Sequence, residues 1–346
     1  MTFTVTVQPS GRTFEVAQDE AMLGAAIRQG IGLPYGCKDG ACGSCKAELK
    51  QGRVIHGVHQ AKALSPEEEI AGRILSCCAL PQTDCTIHVP QVASVGQYPV
   101  MKLPARVTRI ERVAVDVAVL TLQLPAHQSF RYHPGQYVDV LLRDGERRSY
   151  SMATAPKDGQ ASIELHVRHL PGGLFTDHVF GAMKDKDILR LEGPFGGFQL
   201  RNEAEDAARP ILLLASGTGF APIQAILEAL IAAGSTRPVA LYWGGRRPAD
   251  LYAQAAIGRL QAALPQLRYV PVISEALPED GWSGRIGLVH QAVMADLADL
   301  SAYQVYACGA PVMVEAAQRD FVAHCGLPVE QFLADAFTTA ADRATS

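Results

Sequence analysis

The chain has 346 residues with 31 glycines and 21 prolines, a length that predicts about two or three compact domains. Its eight cysteines are too dilute for a disulfide-stapled secreted scaffold and they cluster, which favours metal or redox chemistry. The net charge of -4, the interleaved signs and the lack of a secretory leader or a long apolar run predict a cytoplasmic protein that binds neither nucleic acid nor membrane.

The first 92 residues read as one small domain. Alternating apolar and polar residues around a Pro-Ser-Gly turn predict a hairpin over residues 3–16, and helical spacing follows over 19–32. Residues 47–58 have strand character, Ser65 precedes a short helix, and residues 85–90 form a closing strand. We therefore expect a domain over residues 1–92.

The composition and the pattern of apolar residues change twice after this domain. Residues 93–103 are rich in small residues and proline, which is typical of a linker. Short strands at close spacing over 104–205 predict an antiparallel β-barrel. Continuous apolar strands alternate with helical segments over 206–346, which predicts a parallel α/β domain. No internal repeat is visible.

The stretch YGCKDGACGSC carries the clearest chemical signal. Its spacing is C-x4-C-x2-C, and a distant fourth thiol completes the pattern of a [2Fe-2S] site with the ligands Cys37, Cys42, Cys45 and Cys77. The interleaved glycines allow the loop to fold tightly around a cluster. A structural zinc site is the alternative, but its second pair would be the adjacent Cys77 and Cys78, a poor geometry. Cys78 remains the other candidate for the fourth ligand. Cys85 and Cys325 are expected to be buried apolar residues.

Two further segments suggest a flavin site, although each is weak by itself. RRSYS, residues 147–151, combines an arginine for phosphate with an aromatic face and a hydroxyl. HVRHLPGGLFT, residues 166–176, has a double glycine at the start of a helical segment, where amide groups can bind a pyrophosphate. Tyrosine in a strand is usually packing, and Gly-Gly is usually a turn.

The order of the motifs resembles one known family. After the cysteine pattern come R-x-Y-S, then H-V-x4-G-G, then GPFGGF, then SGTGFAP. This order is similar to that of the three-domain [2Fe-2S]/FAD/NAD(P)H reductases in the ferredoxin-NADP+ reductase superfamily. They include oxygenase reductase components and CDP-6-deoxy-Δ3,4-glucoseen reductases. The likeness covers essentially the whole chain.

The resemblance implies a fold and a set of flavin contacts. It implies a β-grasp plant-type ferredoxin domain, an antiparallel β-barrel FAD domain and a parallel α/β nicotinamide-nucleotide domain. Ser151 would lie near the reactive flavin nitrogen and count as catalytic. HPGQY (133–137) and GPFGGF (193–198) are expected to be barrel turns. The other implied FAD-binding residues are Arg148, Tyr150, His166, Val167, Arg168, Gly172, Gly173, Leu174 and Thr176.

The nicotinamide site is expected at the ends of two strands. The Gly217-Thr218-Gly219 loop between a buried strand and a helix lets a pyrophosphate approach the backbone, although it is not the six-residue Rossmann motif. By resemblance, Cys308 and Gly309 of the C-G-x-P motif would lie beside the nicotinamide, with Cys308 as a catalytic positioning group. A buried structural cysteine is the alternative. Phe337 would cover the flavin, or be a core phenylalanine.

The choice of nicotinamide cofactor depends on the segment YWGGRRPADLY. By resemblance Trp243 and Gly244 belong to the nucleotide site, and Arg246 and Arg247 could bind an NADP 2′-phosphate. Asp250 would repel that phosphate if it faced the ribose, and the W-G-x-R…D-L-Y arrangement resembles NADH-using members. The prediction is therefore NADH rather than NADPH.

The resemblance predicts an NADH-dependent electron-transfer reductase. Hydride from NADH would reduce FAD, and single electrons would pass through the [2Fe-2S] cluster to a partner oxygenase, hydroxylase or CDP-6-deoxy-sugar dehydrase. No motif identifies the electron acceptor, although the C-terminal ADAFT slightly favours the reductases of deoxysugar synthesis. The alternative is a redox-sensing module without turnover. We expect a monomer.

Overall fold

The chain divides into two compact units. The structure is a computed structural model that describes residues 1–89, 98–126, 128–157, 159, 162–201, 206 and 208–338. The first unit contains Met1–Pro99, together with Gly196–Phe198 and the residues from Ala334 onward, and the second contains Val100–Phe195 and Gln199–Leu333. Within these described residues, no helix has the length and apolar character needed to cross a membrane.

The first unit is built on a mixed five-stranded sheet. Its order is β2-β1-β7-β3-β5, in which β1 and β7 run parallel and the other pairs are antiparallel; β4 and β6 form a separate ribbon. The predicted hairpin, first helix and closing strand are confirmed. The elements are β1 (Thr2–Gln8), β2 (Arg12–Ala17), α1 (Met22–Arg28), β3 (Lys46–Gln51), β4 (Val54–His56), α2 (Pro66–Ile70), β5 (Arg73–Leu75), β6 (Ala79–Pro81) and β7 (Cys85–His88).

Two local signals explain how this unit's elements begin and end. The predicted strand over residues 47–58 is divided in two because Gly52 turns the chain with φ of 97°. Helix α2 begins where Ser65 forms a capping box: its hydroxyl accepts from the Glu68 amide at 3.3 Å, and the Glu68 carboxylate accepts from the Ser65 amide at 3.0 Å. The predicted cap is therefore confirmed.

A six-stranded antiparallel sheet forms the first part of the second unit. Its order is β11-β10-β13-β8-β9-β12, and a bridge between Met152 and Leu165 closes it into a barrel. Alternate side chains fill its interior, among them Val107, Leu120 and Ile163, which are fully buried. The elements are β8 (Met101–Ala114), β9 (Val117–Gln123), β10 (Tyr137–Leu141), β11 (Arg147–Ser151), β12 (Ser162–Arg168), α3 (Leu174–Phe180) and β13 (Ile188–Phe195).

The sequence-based boundaries differ in detail around the barrel. The predicted linker 93–103 overlaps residues 90–97, which lie outside the described residues, and its last three residues already belong to β8. In HPGQY the turn covers His133 to Gln136, with Gly135 at φ of 103°, and Tyr137 begins β10. GPFGGF, in contrast, is a turn only from Gly196, because its first three residues belong to β13, where Gly193 pairs with Met101 and Phe195 with Tyr137.

The rest of the second unit is a parallel sheet flanked by helices. Strand β14 pairs in parallel with both β15 and β18, so the strand order changes direction there. Residues 211–215 are fully buried, which explains their continuous apolar sequence. The elements are β14 (Ile211–Ser216), α4 (Phe220–Ala232), β15 (Val239–Gly245), α5 (Gln254–Ala263), β16 (Leu267–Ile273), β17 (Arg285–Ile286), α6 (Val289–Asp296), β18 (Gln304–Gly309) and α7 (Pro311–His324). Strand β19 (Phe332–Ala336) follows, and its residues from Ala334 onward belong to the first unit.

This arrangement confirms the predicted fold class. In open parallel sheets, ligands bind beyond the carboxyl ends of the strands, where the order changes direction. Here that position lies between the ends of β14 and β18, which carry the Gly217-Thr218-Gly219 loop and Cys308-Gly309.

Candidate active site and cluster-binding loop

The three clustered cysteines lie in the loop between α1 and β3. Gly40 and Gly43 turn this loop with φ of 77° and 75°, in the left-handed region that favours glycine. A Cβ atom on Gly40 would lie 2.8 Å from the Cys78 Sγ and 2.9 Å from the His59 Cα. The loop is thus packed too tightly at this position for any side chain.

The thiols of the predicted ligands occur as two pairs. Cys45 Sγ lies 3.1 Å from Cys77 Sγ, and both residues are buried. The Cys37 amide donates to Cys42 Sγ at 3.3 Å. Within the described residues, no three potential ligands converge on one metal-ion position. Two thiol pairs fit a cluster with two irons, each of which takes two cysteines, better than one tetrahedral ion.

Hydrogen bonding between the thiols also makes their pKa values differ from one another. A hydrogen bond between the Cys37 and Cys42 side chains lowers the pKa of Cys42 to about 6 and raises the pKa of Cys37. Hydrogen bonds to Cys45 and Cys78 raise the pKa of Cys77. Iron bound by these sulfurs would take the place of their protons, because a metal-bound thiol is deprotonated.

Cys78 lies beside the second thiol pair. Its Sγ is 3.5 Å from Cys77 Sγ and the residue is half-buried, whereas Cys77 is the direct neighbour of Cys45. This geometry favours Cys77 as the fourth ligand. Cys85 and Cys325 lie apart from the loop and are buried, as predicted.

Three of the predicted flavin-binding side chains lie on β11. Ser151 is buried, and Tyr150 is packed against the Phe175 ring at a centroid distance of 5.2 Å. Burial raises the pKa of Tyr150, so its hydroxyl stays protonated. The Arg148 guanidinium is bound to the Glu146 carboxylate at 3.1 Å and to the Arg147 carbonyl at 2.8 Å.

Strand β12 carries the next three predicted residues. His166 and Val167 are buried, and burial lowers the pKa of His166 to about 4, so the imidazole is neutral. Arg168 approaches Asp116 at 3.2 Å and Asp250 at 3.6 Å, yet its buried Nε and Nη2 atoms lack hydrogen bonds of good geometry. An incompletely satisfied guanidinium in this position fits an anionic ligand such as a pyrophosphate.

The double-glycine turn precedes helix α3. Gly172 has φ of 82°, and its amide donates to Asp177 at 3.1 Å. The Thr176 hydroxyl donates to the Leu170 carbonyl at 2.9 Å and is buried. Gly173 is the residue before the helix, and Leu174 is exposed. In this structure Thr176 holds the turn itself together.

The dinucleotide loop is packed against the end of β18. Gly217-Thr218-Gly219 forms a 3-10 turn that continues into α4. A Cβ on Gly219 would lie 2.2 Å from the Cys308 carbonyl oxygen, and one on Gly309 would lie 2.3 Å from Ser216 Oγ. Ser216 Oγ also accepts from the Ala310 amide at 2.9 Å. The glycines therefore allow two strand ends to meet, as the predicted nucleotide site requires.

Trp243 and Gly244 on β15 complete this edge of the sheet. Trp243 is buried, donates from Nε1 to the Gly217 carbonyl at 3.1 Å and stacks on Phe220 at 4.4 Å. A Cβ on Gly244 would lie 2.9 Å from Val289. Trp243 thereby fixes the loop that is predicted to bind the pyrophosphate.

The charged residues after β15 are largely paired with one another. Asp250 accepts from the amides of Arg246 at 2.7 Å and Arg247 at 3.0 Å, and it caps the following turn. The Arg247 guanidinium binds Asp280 at 2.7 Å. Only the Arg246 side chain extends largely into solvent, with 66% of its surface exposed.

Tyr252 ends the segment YWGGRRPADLY, and no sequence motif predicts a role for it. Its hydroxyl lies 2.8 Å from His166 Nδ1, and burial raises its pKa. A tyrosine in a D-L-Y string gives no local sign of this contact, because the partner is 86 residues away. Cys308 is fully buried at the end of β18, and Phe337 is half-buried in the first unit. The predicted roles of Cys308 and Phe337 stay predictions.

Three domain families match the sequence in chain order. Residues 5–82 match the 2Fe-2S iron-sulfur cluster binding domain, and residues 104–200 match the oxidoreductase FAD-binding domain. Residues 213–319 match the oxidoreductase NAD-binding domain. The first match decides between the two metal-site interpretations in favour of the iron–sulfur cluster.

Known proteins are similar over nearly the whole chain. A CDP-6-deoxy-L-threo-D-glycero-4-hexulose-3-dehydrase reductase of Yersinia pseudotuberculosis is 39% identical, over 97% of this chain and 99% of that protein. Reductase component 2 of terephthalate 1,2-dioxygenase from Comamonas is 34% identical, over 98% of both. The crystal structure of an Amycolatopsis cytochrome P450 reductase has a TM-score of 0.80 and 32% identity, covering 98% of this chain and 99% of that one.

Proposed function

We propose a function for this chain from one premise: it belongs to the three-domain iron–sulfur flavoprotein reductases of the ferredoxin-NADP+ reductase superfamily. As a member it is an NAD(P)H-dependent oxidoreductase that transfers electrons to a partner. We infer that it uses NADH and delivers single electrons to a partner protein. When bound, FAD accepts a hydride and the cluster passes electrons on singly. The ordered match of three cofactor domains within one chain carries this proposal.

The cluster is proposed to be held by the two thiol pairs. Cys37 and Cys42 would bind one iron, and Cys45 and Cys77 the other, because each pair already brings two sulfurs together. Cys78 is left outside the ligand set. Its sulfur would then be a neighbour of the cluster rather than a ligand.

The flavin is proposed to bind along β11 and β12. Tyr150 would offer its ring to the isoalloxazine, and Ser151 a hydroxyl to the reactive edge. Arg148 would exchange Glu146 for the phosphates, and Arg168 has donors still to satisfy. His166 and Val167 would line the same site, as would the turn formed by Gly172, Gly173, Leu174 and Thr176.

The nicotinamide is proposed to lie where β14 and β18 end. Gly217, Thr218 and Gly219 would hold the pyrophosphate, and Cys308 with Gly309 would position the ring for hydride transfer. Cys308 acts here through its shape and polarity, since hydride transfer needs no thiol nucleophile. Trp243 and Gly244 would support the loop, and Phe337 would cover the flavin.

NADH is the proposed reductant because of the charges that follow β15. Arg247 binds Asp280 at 2.7 Å, and the exposed Arg246 guanidinium, the remaining cation that a 2′-phosphate could use, lies 4.0 Å from the Asp250 carboxylate. The carboxylate of Asp250 would also repel an added phosphate. The expected result is a higher kcat/KM for NADH than for NADPH in steady-state reduction of ferricyanide. A preference for NADPH would overturn this assignment.

A protein of the dehydrase class is the proposed electron acceptor. The 39% identity with the dehydrase reductase, against 34% with the dioxygenase reductase, favours it. Reduction of a purified CDP-6-deoxy-hexulose dehydrase by NADH and this protein is the expected result. If an oxygenase component is reduced and the dehydrase is not, the assignment of a dehydrase as acceptor is wrong. We propose that the protein acts as a monomer, which its mass in solution tests.

An anaerobic NADH titration followed by visible absorption tests the electron path. Both flavin and cluster absorbance should decrease, and added cytochrome c should be reduced over many turnovers. Bleaching of the flavin with an unchanged cluster would refute the electron path. Reduction without turnover would support the alternative, a redox-sensing module.

A further inference from the structure

Two residues of the barrel strand β12 meet two residues of the turn after β15. His166 and Arg168 are two positions apart in the strand, so they point to the same face. His166 Nδ1 lies 2.8 Å from the Tyr252 hydroxyl, and the Arg168 guanidinium lies 3.6 Å from Asp250. The barrel and the parallel α/β sheet, which share one compact unit, are therefore held together at two adjacent points.

The contact between Tyr252 and His166 has a defined chemistry. His166 is only 6% exposed, and burial lowers its pKa to about 4, so its imidazole is neutral. Burial raises the pKa of Tyr252, so its phenol keeps its proton. Among the described residues the Tyr252 hydroxyl has no other acceptor, so the tautomer that satisfies its O–H has the imidazole proton on Nε2 and leaves Nδ1 to accept. Without this donor a buried nitrogen would be left unsatisfied.

Tyr252 also contacts the support of the dinucleotide loop. Its ring meets the Trp243 ring edge-on, at a centroid distance of 5.2 Å and an angle of 88°. Trp243 in turn donates to the Gly217 carbonyl and stacks on Phe220, the first residue of α4. A continuous series of contacts thus joins a strand of the flavin domain to the loop that begins the nucleotide site.

We propose that Tyr252 is a positioning residue for hydride transfer: through its hydrogen bond to His166, it sets the place of the nucleotide loop relative to strand β12. This proposal rests on the proposed function. Small displacements of reacting groups cost large factors in rate, so this bond should affect the rate of transfer. It should not affect NADH affinity, because Tyr252 acts on the loop indirectly, through its contact with Trp243.

The Tyr252→Phe variant of the full-length holoprotein tests this role. Stopped-flow reduction of the flavin by NADH without oxygen gives a limiting rate per bound flavin and an apparent Kd. We expect the limiting rate to fall roughly tenfold, the effect of losing one buried hydrogen bond, while the Kd changes less than about twofold. A merely structural role would reduce FAD content or thermal stability and leave the rate per bound flavin unchanged.

Tyr269→Phe is the matched control. Tyr269 lies on β16 of the same sheet, is partly buried, and its hydroxyl accepts from Gln254 at 3.2 Å. This variant should reduce its flavin at the wild-type rate. An equal loss in both variants, or an unchanged rate in Tyr252→Phe, would overturn the proposal. If wild-type flavin itself is not reduced by NADH, the proposed function fails instead.

A double-mutant cycle shows whether Tyr252 acts through His166. The Tyr252→Phe change should have no further effect on the limiting rate in a His166→Phe background, because the acceptor nitrogen is already gone. A further tenfold loss in that background would mean that Tyr252 acts on another group. That outcome would overturn the assignment to His166, whichever rate the single variant shows.

Discussion

Replacement of Gly219 by alanine tests the close contact between the dinucleotide loop and strand β18. Gly219 has φ of -58° and ψ of -11°, values that alanine adopts freely, so the backbone conformation is no obstacle. The added Cβ, however, would lie 2.2 Å from the Cys308 carbonyl oxygen, 2.5 Å from the Cys308 carbonyl carbon and 2.8 Å from the Gly309 Cα. All three are backbone atoms that cannot rotate away.

The size of the expected effect follows from these distances. An ordinary contact of a Cβ begins at 3.4 Å, so the loop and the end of β18 must separate by about 1 Å. A misplacement of about 1 Å near the reacting groups costs about 100-fold in rate. We therefore expect Gly219→Ala to reduce the rate of flavin reduction by NADH about 100-fold. FAD should still be bound, because the barrel residues are unchanged.

The assay is anaerobic stopped-flow reduction, normalised to bound flavin. Gly258→Ala is the control, since Gly258 lies in helix α5 and a Cβ there meets nothing within 4 Å. It should leave the rate unchanged and stabilise the helix by roughly 0.5 to 1 kcal/mol. If Gly219→Ala reduces its flavin within about twofold of wild type, the close contact does not control nicotinamide placement.

Three further predictions concern the cluster, pH and a helix cap. Cys77→Ser should lose the iron and the visible cluster spectrum while Cys78→Ser keeps both; the reverse result in an iron assay would reassign the fourth ligand. His166 is neutral when folded, with a pKa near 4 against its ordinary 6.5, so unfolding takes up a proton as pH falls. Between pH 7 and pH 5 this lowers stability by about 2 kcal/mol, a loss that His166→Asn should abolish in urea unfolding, and an equal loss in the variant would contradict it. Ser65→Ala should cost about 1 kcal/mol in the same assay by removing the capping box at the start of α2, and an unchanged free energy of unfolding would contradict this role of Ser65.

Local patterns were sufficient to predict much of the fold. The hairpin of β1 and β2 and helix α1 follow from alternation and helical spacing, which are properties of neighbouring residues. The cap at Ser65 is likewise local. The predicted turn over residues 193–198 is partly wrong. Its residues Gly193–Phe195 have the sequence of a turn but form the end of a strand by pairing with β8 and β10. Pairing partners distant in the chain decide such residues.

The charge argument for the nicotinamide cofactor depends on ion pairs that the sequence does not show. The sequence places two arginines and Asp250 close together, but it does not show that Asp250 caps a turn or that Arg247 binds Asp280, 33 residues away. The availability of a cation for a phosphate depends on such ion pairs. The sequence alone therefore identifies the residues that bear on the choice between NADH and NADPH. It does not show which of them already form ion pairs.

The sequence by itself determined the domain families, the cysteine spacing and the order of the cofactor motifs, because each is written in residues that are near one another in the chain. Only the tertiary structure shows which thiols pair. It also shows that Gly219 must lack a side chain, because the backbone at the end of β18 lies against it. It also brought Tyr252 to His166. These are contacts between residues up to 90 positions apart, and chain folding, not local pattern, sets them.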